Sequence, residues 1–329
     1  MAATPHTHTV TTSRTDWPIF TTSVVVLLAI TGPLMVWPDV GDRFVDRSYE
    51  LLTSQLGVVY IWAGTAVIGF VLWLALGRYG TVVLGQPGAS PRFSTASWVS
   101  MVFCAGVATG ILYWGTVEWA HYYTGPPFGV EPRSAEAIEW AATYGMFHWG
   151  PTGWAFYCLP TLAIAHAYYV RGQPNLRVSS ACHMVLGTQT TGVIGRITDT
   201  LFIVGVLGAA GTSLGFGTPM IAAGLGRLFG VESSFGLQAG VVALCAMLFS
   251  ASVYVGLERG IKRLSNINVV LTKTLLLFVL VAGPTLFILK MSTSAVGQML
   301  QNFIMMNLWT DPVLKTGFVE NWTVFYWAW

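Results

Sequence analysis

The chain is built around apolar segments long enough to cross a lipid bilayer. A transmembrane helix needs about 20 mainly apolar residues, and segments of this kind recur from Trp17 to the end of the sequence. Only 9% of the residues are charged and 54% are hydrophobic, whereas a soluble domain carries about 25% charged residues. We therefore predict an all-α integral membrane protein that lies in the lipid bilayer.

Hydropathy assigns the individual spans. Seven complete spans and the start of an eighth are predicted at residues 17–38, 58–77, 97–120, 138–170, 198–227, 235–256, 264–289 and 320 onward. The segment 293–309 is apolar but interrupted by polar residues, so we predict a helix that lies in the membrane interface. Residues 1–16 are polar and lack the apolar core of a signal peptide.

Basic loop residues predict the orientation of the spans. They are more frequent on the side that carries the N-terminus, which by the positive-inside rule is cytoplasmic. The basic residues on that side are Arg14, Arg78, Arg92, Arg171, Arg177, Arg196, Arg259, Lys262 and Arg263. Glu118, at the outer end of the third span, is predicted to lie at the membrane interface.

The end of the sequence carries an aromatic helix face. Trp322, Tyr326 and Trp329 follow one another at i, i+4 and i+7, a spacing that puts three rings on one side of a helix. Aromatic faces attract quaternary ammonium groups, cations that cannot donate a hydrogen bond. This pattern predicts a binding surface for such a cation.

The fourth span carries a second aromatic group beside a break. Trp149, Trp154 and Tyr157 share one arc of the helix, and Gly150-Pro151 interrupts it. Irregular backbone at membrane depth is tolerated where it lines a cavity or is buried in protein. The aromatic residues therefore indicate either a lined cavity or a packed kink with interfacial tryptophans.

The third and fifth spans contain small residues and hydroxyls that allow two interpretations. Gly106 and Gly110 form a GxxxG pair, which serves close helix packing or marks an unwound helix that binds substrate or ion. Thr212 and Ser213 beside a broken backbone would coordinate a cation, or would bond back to a carbonyl one turn earlier. Lys262 begins the seventh span and is expected to extend towards the interface.

Several functional classes find no support in the sequence. The four cysteines form no CxxC pair, the histidines show no metal-ligand spacing, and no nucleophile lies beside a base. No basic run is present to bind nucleic acid. We therefore predict no enzyme activity, no cofactor, no metal site and no nucleic-acid partner.

These residues together resemble the betaine/carnitine/choline transporter family from Trp17 to the end. The shared motifs are Gly106-x-x-x-Gly110, Tyr113-Trp-Gly-Thr-Val-Glu118, Pro126-Pro-Phe-Gly, Phe147-His-Trp-Gly, Gly211-Thr-Ser-Leu-Gly, Gly256-x-x-x-Gly260-Ile-Lys and Trp322-Thr-Val-Phe-Tyr-Trp-Ala-Trp329. The amino-acid sequence of residues 126–132, 148–151 and 310–329 is most similar to the carnitine/γ-butyrobetaine antiporter branch.

The resemblance implies an inverted-repeat (LeuT-like) transporter fold in the cell inner membrane, assembled as a homotrimer. Its parts are a tail at 1–16, two leading helices at 17–95, a five-helix repeat at 96–290, a periplasmic or interfacial helix at 291–319, and the start of a second repeat at 320–329. We expect a fragment that does not transport alone and leaves cavity groups such as His148, Thr212 and Trp329 without cover.

The resemblance also implies the site. Its substrate-binding residues are Gly106, Gly110, Trp149, Trp154, Tyr157, Trp322, Tyr326 and Trp329, and its ion or coupling residues are Cys104, Val107, Thr212 and Lys262. Three departures stand against a complete sodium site: Ala108 replaces a glycine, Gly208 replaces a hydroxyl, and Lys262 matches a fixed positive charge in the antiporter branch.

The expected function is secondary transport of a quaternary-ammonium zwitterion, such as carnitine or glycine betaine, through an aromatic box. One alternative is a betaine or choline symporter coupled to sodium or protons. Another is a sensor that binds betaine without moving it.

Overall fold

The computed structural model describes residues 15–85, 88, 90–107 and 109–328, and these residues form helices without a strand. In chain order the α-helices are Trp17–Val36 (α1), Pro38–Glu50 (α2), Gly57–Leu76 (α3), Thr95–Gly106 (α4), Thr109–Thr124 (α5), Ala135–His148 (α6), Pro151–Ala165 (α7), Val178–Ala181 (α8), His183–Leu186 (α9), Val193–Phe229 (α10), Phe235–Val255 (α11), Lys262–Ala282 (α12), Thr285–Leu308 (α13) and Phe325–Ala328 (α14). Shorter π-helical segments are Leu51–Gln55, His166–Val170, Leu257–Ile261 and Val319–Val324. The all-α prediction is confirmed.

Five helices of the described residues are long and apolar enough to cross a membrane. They are Trp17–Val36, Gly57–Leu76, Val193–Phe229, Phe235–Val255 and Leu257–Ala282. The pair α4 and α5 provides a sixth if it is counted as one broken span, bent by 68°. The protein is therefore a multi-pass membrane protein, as predicted, while the inverted-repeat arrangement stays a prediction.

Two span boundaries differ from the predicted ones. The predicted seventh span runs to residue 289, but α12 ends at Ala282 and α13 begins at Thr285. Pro284 cannot donate the backbone hydrogen bond that would continue the helix. The predicted fourth span is likewise two helices, because α6 ends at His148 and α7 begins at Pro151.

The described residues divide into two compact units, which are considered separately. One contains the residues up to Arg47 and Ala163–Leu207. In this unit Arg177 donates to the Asp16 carboxylate at 2.9 Å, and this hydrogen bond lowers the pKa of Asp16 below its usual 3.8. Asp199 accepts hydrogen bonds from the Ser179 backbone N–H at 3.0 Å and from its hydroxyl at 2.8 Å.

The other unit contains Ser48–Leu162 and the described residues from Gly208 onward. Its apolar core is aromatic, with α6 packed against α5 and α13. The buried core residues are Ile61, Tyr122, Trp140, Ala141, Tyr144, Phe147, Met306, Phe318, Val319, Val324 and Trp327. The segment predicted to lie in the interface is thus part of α13, whose end contributes to this core.

Polar side chains fix α13 against its neighbours within this unit. The Thr143 hydroxyl donates to Gln298 Oε1 at 2.7 Å, and the Thr152 hydroxyl donates to Asn307 Oδ1 at 2.8 Å. Buried hydroxyls that are paired in this way specify one arrangement of the helices, because any shift leaves a polar atom unpaired.

Candidate functional site

A small cavity lies where the α4–α5 and α6–α7 breaks face each other. Its volume is about 90 Å³, and its lining residues are Gly106, Gly110, Ile111, His148, Trp149, Gly153, Trp154, Tyr157, Ala209, Ser213 and Tyr326. An enclosed water needs about 10–15 Å³ of such space, so the cavity has room for a group of several non-hydrogen atoms. All of these residues belong to the unit that includes Ser48–Leu162.

The break between α6 and α7 points two tryptophans towards the cavity. The Gly150 N–H donates to the Phe147 carbonyl at 3.0 Å, which tightens the end of α6, and Pro151 starts α7 where no N–H donor is needed. The Trp154 indole N–H then donates back to the Trp149 carbonyl at 2.9 Å. The glycine and proline seen in the sequence therefore produce the predicted interruption.

The break between α4 and α5 makes room for one of these rings. A β-carbon placed on Gly106 would stand 2.5 Å from two ring atoms of Trp154, so the ring packs directly on the glycine. Gly110 and Ile111 lie in the first turn of α5, where the backbone N–H groups have no partner within the helix. Both line the cavity.

The aromatic side chains form two contacting pairs around this space. Trp149 and Tyr326 have ring centroids 4.8 Å apart at 61°, and Trp154 and Tyr157 have centroids 5.4 Å apart at 42°. Tyr157 keeps 62% of its surface exposed, so it marks the open side of the cavity. Six of the predicted substrate-binding residues are therefore brought together: Gly106, Gly110, Trp149, Trp154, Tyr157 and Tyr326.

Trp322, another aromatic candidate, is not in this lining. Trp322 packs edge-on against Trp114 and Tyr122, with centroid distances of 5.6 Å and 4.8 Å. Trp329 lies outside the described residues. Trp322 and Tyr326 do lie on one side, as their spacing predicted, with ring centroids 6.3 Å apart, but of the two only Tyr326 lines the cavity.

The predicted coupling residues do not line the cavity and do not gather at one point. Cys104 contacts the Ser265 carbonyl through its sulfur at 3.6 Å, and Lys262 Nζ lies 5.7 Å from the Phe93 ring centroid. Val107 donates its backbone N–H to the Phe103 carbonyl at 2.8 Å. The contacts of Cys104 and Lys262 connect the start of α12 with α4 and the residues before it.

The Thr212 hydroxyl bonds back to a carbonyl one turn earlier, which is the second of the two interpretations predicted for it. α10 runs unbroken from Val193 to Phe229, so the expected break of the fifth span is wrong. The Thr212 hydroxyl donates to the Gly208 carbonyl at 3.1 Å, one turn earlier. Of the two hydroxyl residues, Ser213 lines the cavity and Thr212 does not.

Glu118 is the main residue that the sequence analysis misplaced. Predicted to lie at the interface, it is 3% exposed. Its carboxylate accepts hydrogen bonds from the Trp149 indole N–H at 3.2 Å and from the Tyr326 hydroxyl at 2.6 Å. The signal was available, since an ionisable residue inside a membrane span marks a functional site by default.

His148 is the second buried polar group beside the cavity. It is 2% exposed, with Nδ1 2.8 Å from the Tyr122 hydroxyl and Nε2 2.9 Å from the Thr323 hydroxyl. Both ring nitrogens therefore have partners, and the expectation that His148 lacks cover is wrong. Among the described residues, no group of three His, Cys, Asp or Glu side chains is placed to hold a metal ion.

Comparison with known proteins gives one family. The sequence profile described as "BCCT, betaine/carnitine/choline family transporter" matches residues 18–329. The chain is 38% identical over 262 residues to the "Uncharacterized transporter YeaV" of Escherichia coli (strain K12), which covers 80% of this chain and 54% of that protein.

Two further relatives carry substrate names. The chain is 35% identical over 311 residues to the "Glycine betaine transporter OpuD" of Bacillus subtilis (strain 168), covering 92% of this chain and 60% of that protein. It is 36% identical over 316 residues to the "Carnitine transporter" of Acinetobacter baumannii (strain ATCC 19606), covering 96% of this chain and 57% of that protein. The chain thus spans between 54% and 60% of the length of these relatives.

Proposed function

Because the chain belongs to the betaine/carnitine/choline transporter family, a family of transporters and not of enzymes, we propose that it takes part in secondary transport of a quaternary-ammonium zwitterion. The observation that carries the proposal is the cavity between the two helix breaks, with Trp149, Trp154, Tyr157 and Tyr326 around it. The substrate class is carnitine, glycine betaine or a related trimethylammonium compound.

The cationic end of the substrate would lie against the aromatic rings. A trimethylammonium group has no hydrogen to donate, so cation–π attraction and apolar contact are what a protein can offer it. Each such contact contributes about 0.5–2 kcal/mol, more when it is shielded from water. We assign this role to Trp149, Trp154, Tyr157 and Tyr326, and propose Trp329 as a further member. Trp322 is proposed as a contact nearer the outer mouth.

The anionic end would lie against the start of α5. The first backbone N–H groups of a helix lack intrahelical partners and lie at the positive end of its dipole, which favours a carboxylate. Gly110 and Ile111 present this first turn to the cavity, and Gly106 ends the preceding helix there. The two ends of a zwitterion thus have chemically matched partners at the same cavity.

The wider arrangement is proposed from the family and the loop charges. Alternating access would rock one helix bundle around the cavity, with the N-terminus in the cytoplasm, the protein in the inner membrane and three copies assembled together. A binding sensor would fill the same cavity without moving its ligand. Counterflow of labelled substrate in vesicles distinguishes the two.

For the coupling we propose exchange that proceeds without sodium. Gly208 supplies no side-chain oxygen, and the Thr212 hydroxyl is already bonded to the Gly208 carbonyl. Lys262 brings a fixed charge at the start of α12. Uptake into proteoliposomes that stops when potassium replaces sodium would contradict this proposal and favour a sodium symporter. Uptake that follows an imposed pH gradient would favour proton coupling.

The aromatic box is tested by Trp149→Leu in the full-length protein. We expect glycine betaine or carnitine to bind at least about tenfold more weakly, since one cation–π contact and one buried ring surface are lost. Trp119→Leu is the matched control, because Trp119 is 54% exposed and lies outside the cavity. Unchanged affinity in Trp149→Leu, measured by calorimetry or scintillation proximity, would remove Trp149 from the site.

A further inference from the structure

Glu118 lies directly behind the cavity and holds two of its rings. Its carboxylate accepts hydrogen bonds from residues on different elements: Trp149 at the α6–α7 break, Tyr326 on α14, and Tyr122 on α5 itself. Trp149 and Tyr326 line the cavity, whereas Glu118 does not. Glu118 therefore acts on whatever occupies the cavity through these two rings and makes no contact of its own.

The packing around Glu118 fixes the carboxylate closely. One oxygen is 3.2 Å from the position that a β-carbon on Gly145 would occupy, so α6 passes close to the carboxylate. The Tyr326 hydroxyl is 2.6 Å from the other oxygen, a length typical of hydrogen bonds to an ionised acceptor. An indole N–H can only donate, so the Trp149 contact also suits a carboxylate.

The charge of Glu118 has no basic partner in the described part of the chain. The ion pairs found there are Arg92–Glu258, Arg177–Asp16 and Arg177–Asp199. An uncompensated buried charge is costly, and ionisable groups inside membrane spans commonly serve as counter-ions to ligands. A cation held against Trp149 and Tyr326 would supply the missing positive charge.

We propose that Glu118 is the residue that makes this cavity select a cationic head group over a neutral one of the same shape. It does so by orienting the Trp149 and Tyr326 rings and by adding negative potential behind them. An anionic acceptor bonded to the indole N–H and to the phenol polarises both rings, which strengthens their attraction for a cation. This inference rests on the proposed function, because it concerns the head group that the proposed site binds.

The test compares two ligands in Glu118→Gln, which keeps the size of the side chain and removes its charge. The ligands are glycine betaine and its isostere in which a tert-butyl group replaces the trimethylammonium. We expect the variant to bind glycine betaine at least about tenfold more weakly, while binding of the isostere changes less than about threefold. Glu136→Gln is the matched control, since Glu136 also accepts a hydrogen bond from an indole, that of Trp140 at 3.4 Å, but lies outside the cavity.

Equal weakening of both ligands would show that Glu118 only supports the fold, and unchanged affinity for both would show that it does not act on the site. Either result overturns the inference. A wild-type protein that binds no trimethylammonium compound would instead contradict the proposed function.

A second measurement is used if the isostere binds too weakly to quantify or if the Glu118→Gln protein does not fold. Tyr326→Phe keeps the ring and removes the hydroxyl that donates to Glu118, and we expect it to weaken glycine betaine binding about threefold or more. In the double variant with Glu118→Gln, the loss should be smaller than the product of the two single losses, because one change removes the charge of the acceptor and the other removes the donor of the same hydrogen bond. The inference would be overturned if the affinity loss of the double variant equals the product of the two single losses. If Tyr326→Phe is the only variant that folds, wild-type affinity in that variant would overturn it.

Discussion

The indole ring of Trp154 rests on the α-carbon of Gly106, and a β-carbon added to that glycine would stand 2.5 Å from two ring atoms. The contact joins the break after α4 to the first turn of α7, so it sets the distance between the two interrupted spans. Gly106 is needed here for close approach and not for unusual backbone geometry, since it is the last residue of α4.

Gly106→Ala should therefore displace Trp154 and weaken substrate binding by about tenfold or more, the scale of one lost cation–π contact in a shielded site. Gly115→Ala is the control, because a β-carbon there meets nothing within 4 Å and alanine favours a helix interior over glycine by about 0.5–1 kcal/mol. Equilibrium binding of labelled glycine betaine gives the comparison. Equal affinities for the two variants would mean that the position of Trp154 does not matter to the site.

Larger side chains on α10 can test which face of this helix lines the cavity. Ser213 lines the cavity, so Ser213→Leu should fill it and abolish detectable binding. Gly215→Leu adds the same side chain two positions further along, where an added β-carbon meets nothing within 4 Å, and should leave affinity within about threefold of wild type. Loss of binding in the second variant alone would place the site on the other side of α10.

The hydrogen bonds of His148 predict a stability effect. His148→Leu leaves the Thr323 hydroxyl without this partner, while the Tyr122 hydroxyl keeps its bond to Glu118 at 3.3 Å. An unpaired buried group costs about 1–3 kcal/mol. We expect the melting midpoint in detergent to fall by several degrees. His183→Ala, at an exposed position whose ring contacts Thr190 at 3.3 Å, should change it little. Similar midpoints for the two variants would contradict a structural role for His148.

The Asp16–Arg177 ion pair predicts a pH dependence of stability. Arg177 lowers the pKa of Asp16 from its usual 3.8, so the folded protein favours the carboxylate form. The stabilisation is complete above that usual value and is lost as the pH falls through the lowered pKa of the folded state. An exposed pair of this kind contributes about 0.2–1 kcal/mol.

The measurement is the difference in melting midpoint between wild type and Asp16→Asn from neutral to acidic pH. Asparagine caps a helix about as well as aspartate, so the variant removes the ion pair and keeps the cap on α1. The difference should be constant down to about pH 4 and then shrink. Asp42→Asn, which removes an exposed carboxylate of α2, is the control. A difference that grows towards acidic pH would contradict the assignment.

The sequence by itself determined the features that depend on neighbours along one helix. The length of the apolar segments identified a helical membrane protein, because each span in lipid must form the hydrogen bonds of its own backbone N–H and C=O groups. Gly150-Pro151 predicted the break at the end of α6, and the spacing of Trp149, Trp154 and Tyr157 predicted that they share a side. The sequence motifs of these segments were enough to identify the family that the profile match then confirmed.

Only the tertiary structure decided which helix covers which face. Glu118 was predicted to lie at the interface because the sequence of its own helix does not show its contacts with Trp149 and Tyr326. Both partners are distant from Glu118 in sequence. The sequence left two interpretations for the Thr212 hydroxyl, an ion ligand or a bond to a carbonyl one turn earlier. In the folded protein it makes the carbonyl bond, and Ser213 is the hydroxyl residue that lines the cavity. Helical periodicity gives the direction of a side chain relative to its own axis, but burial and partners depend on contacts between helices, which no local pattern records.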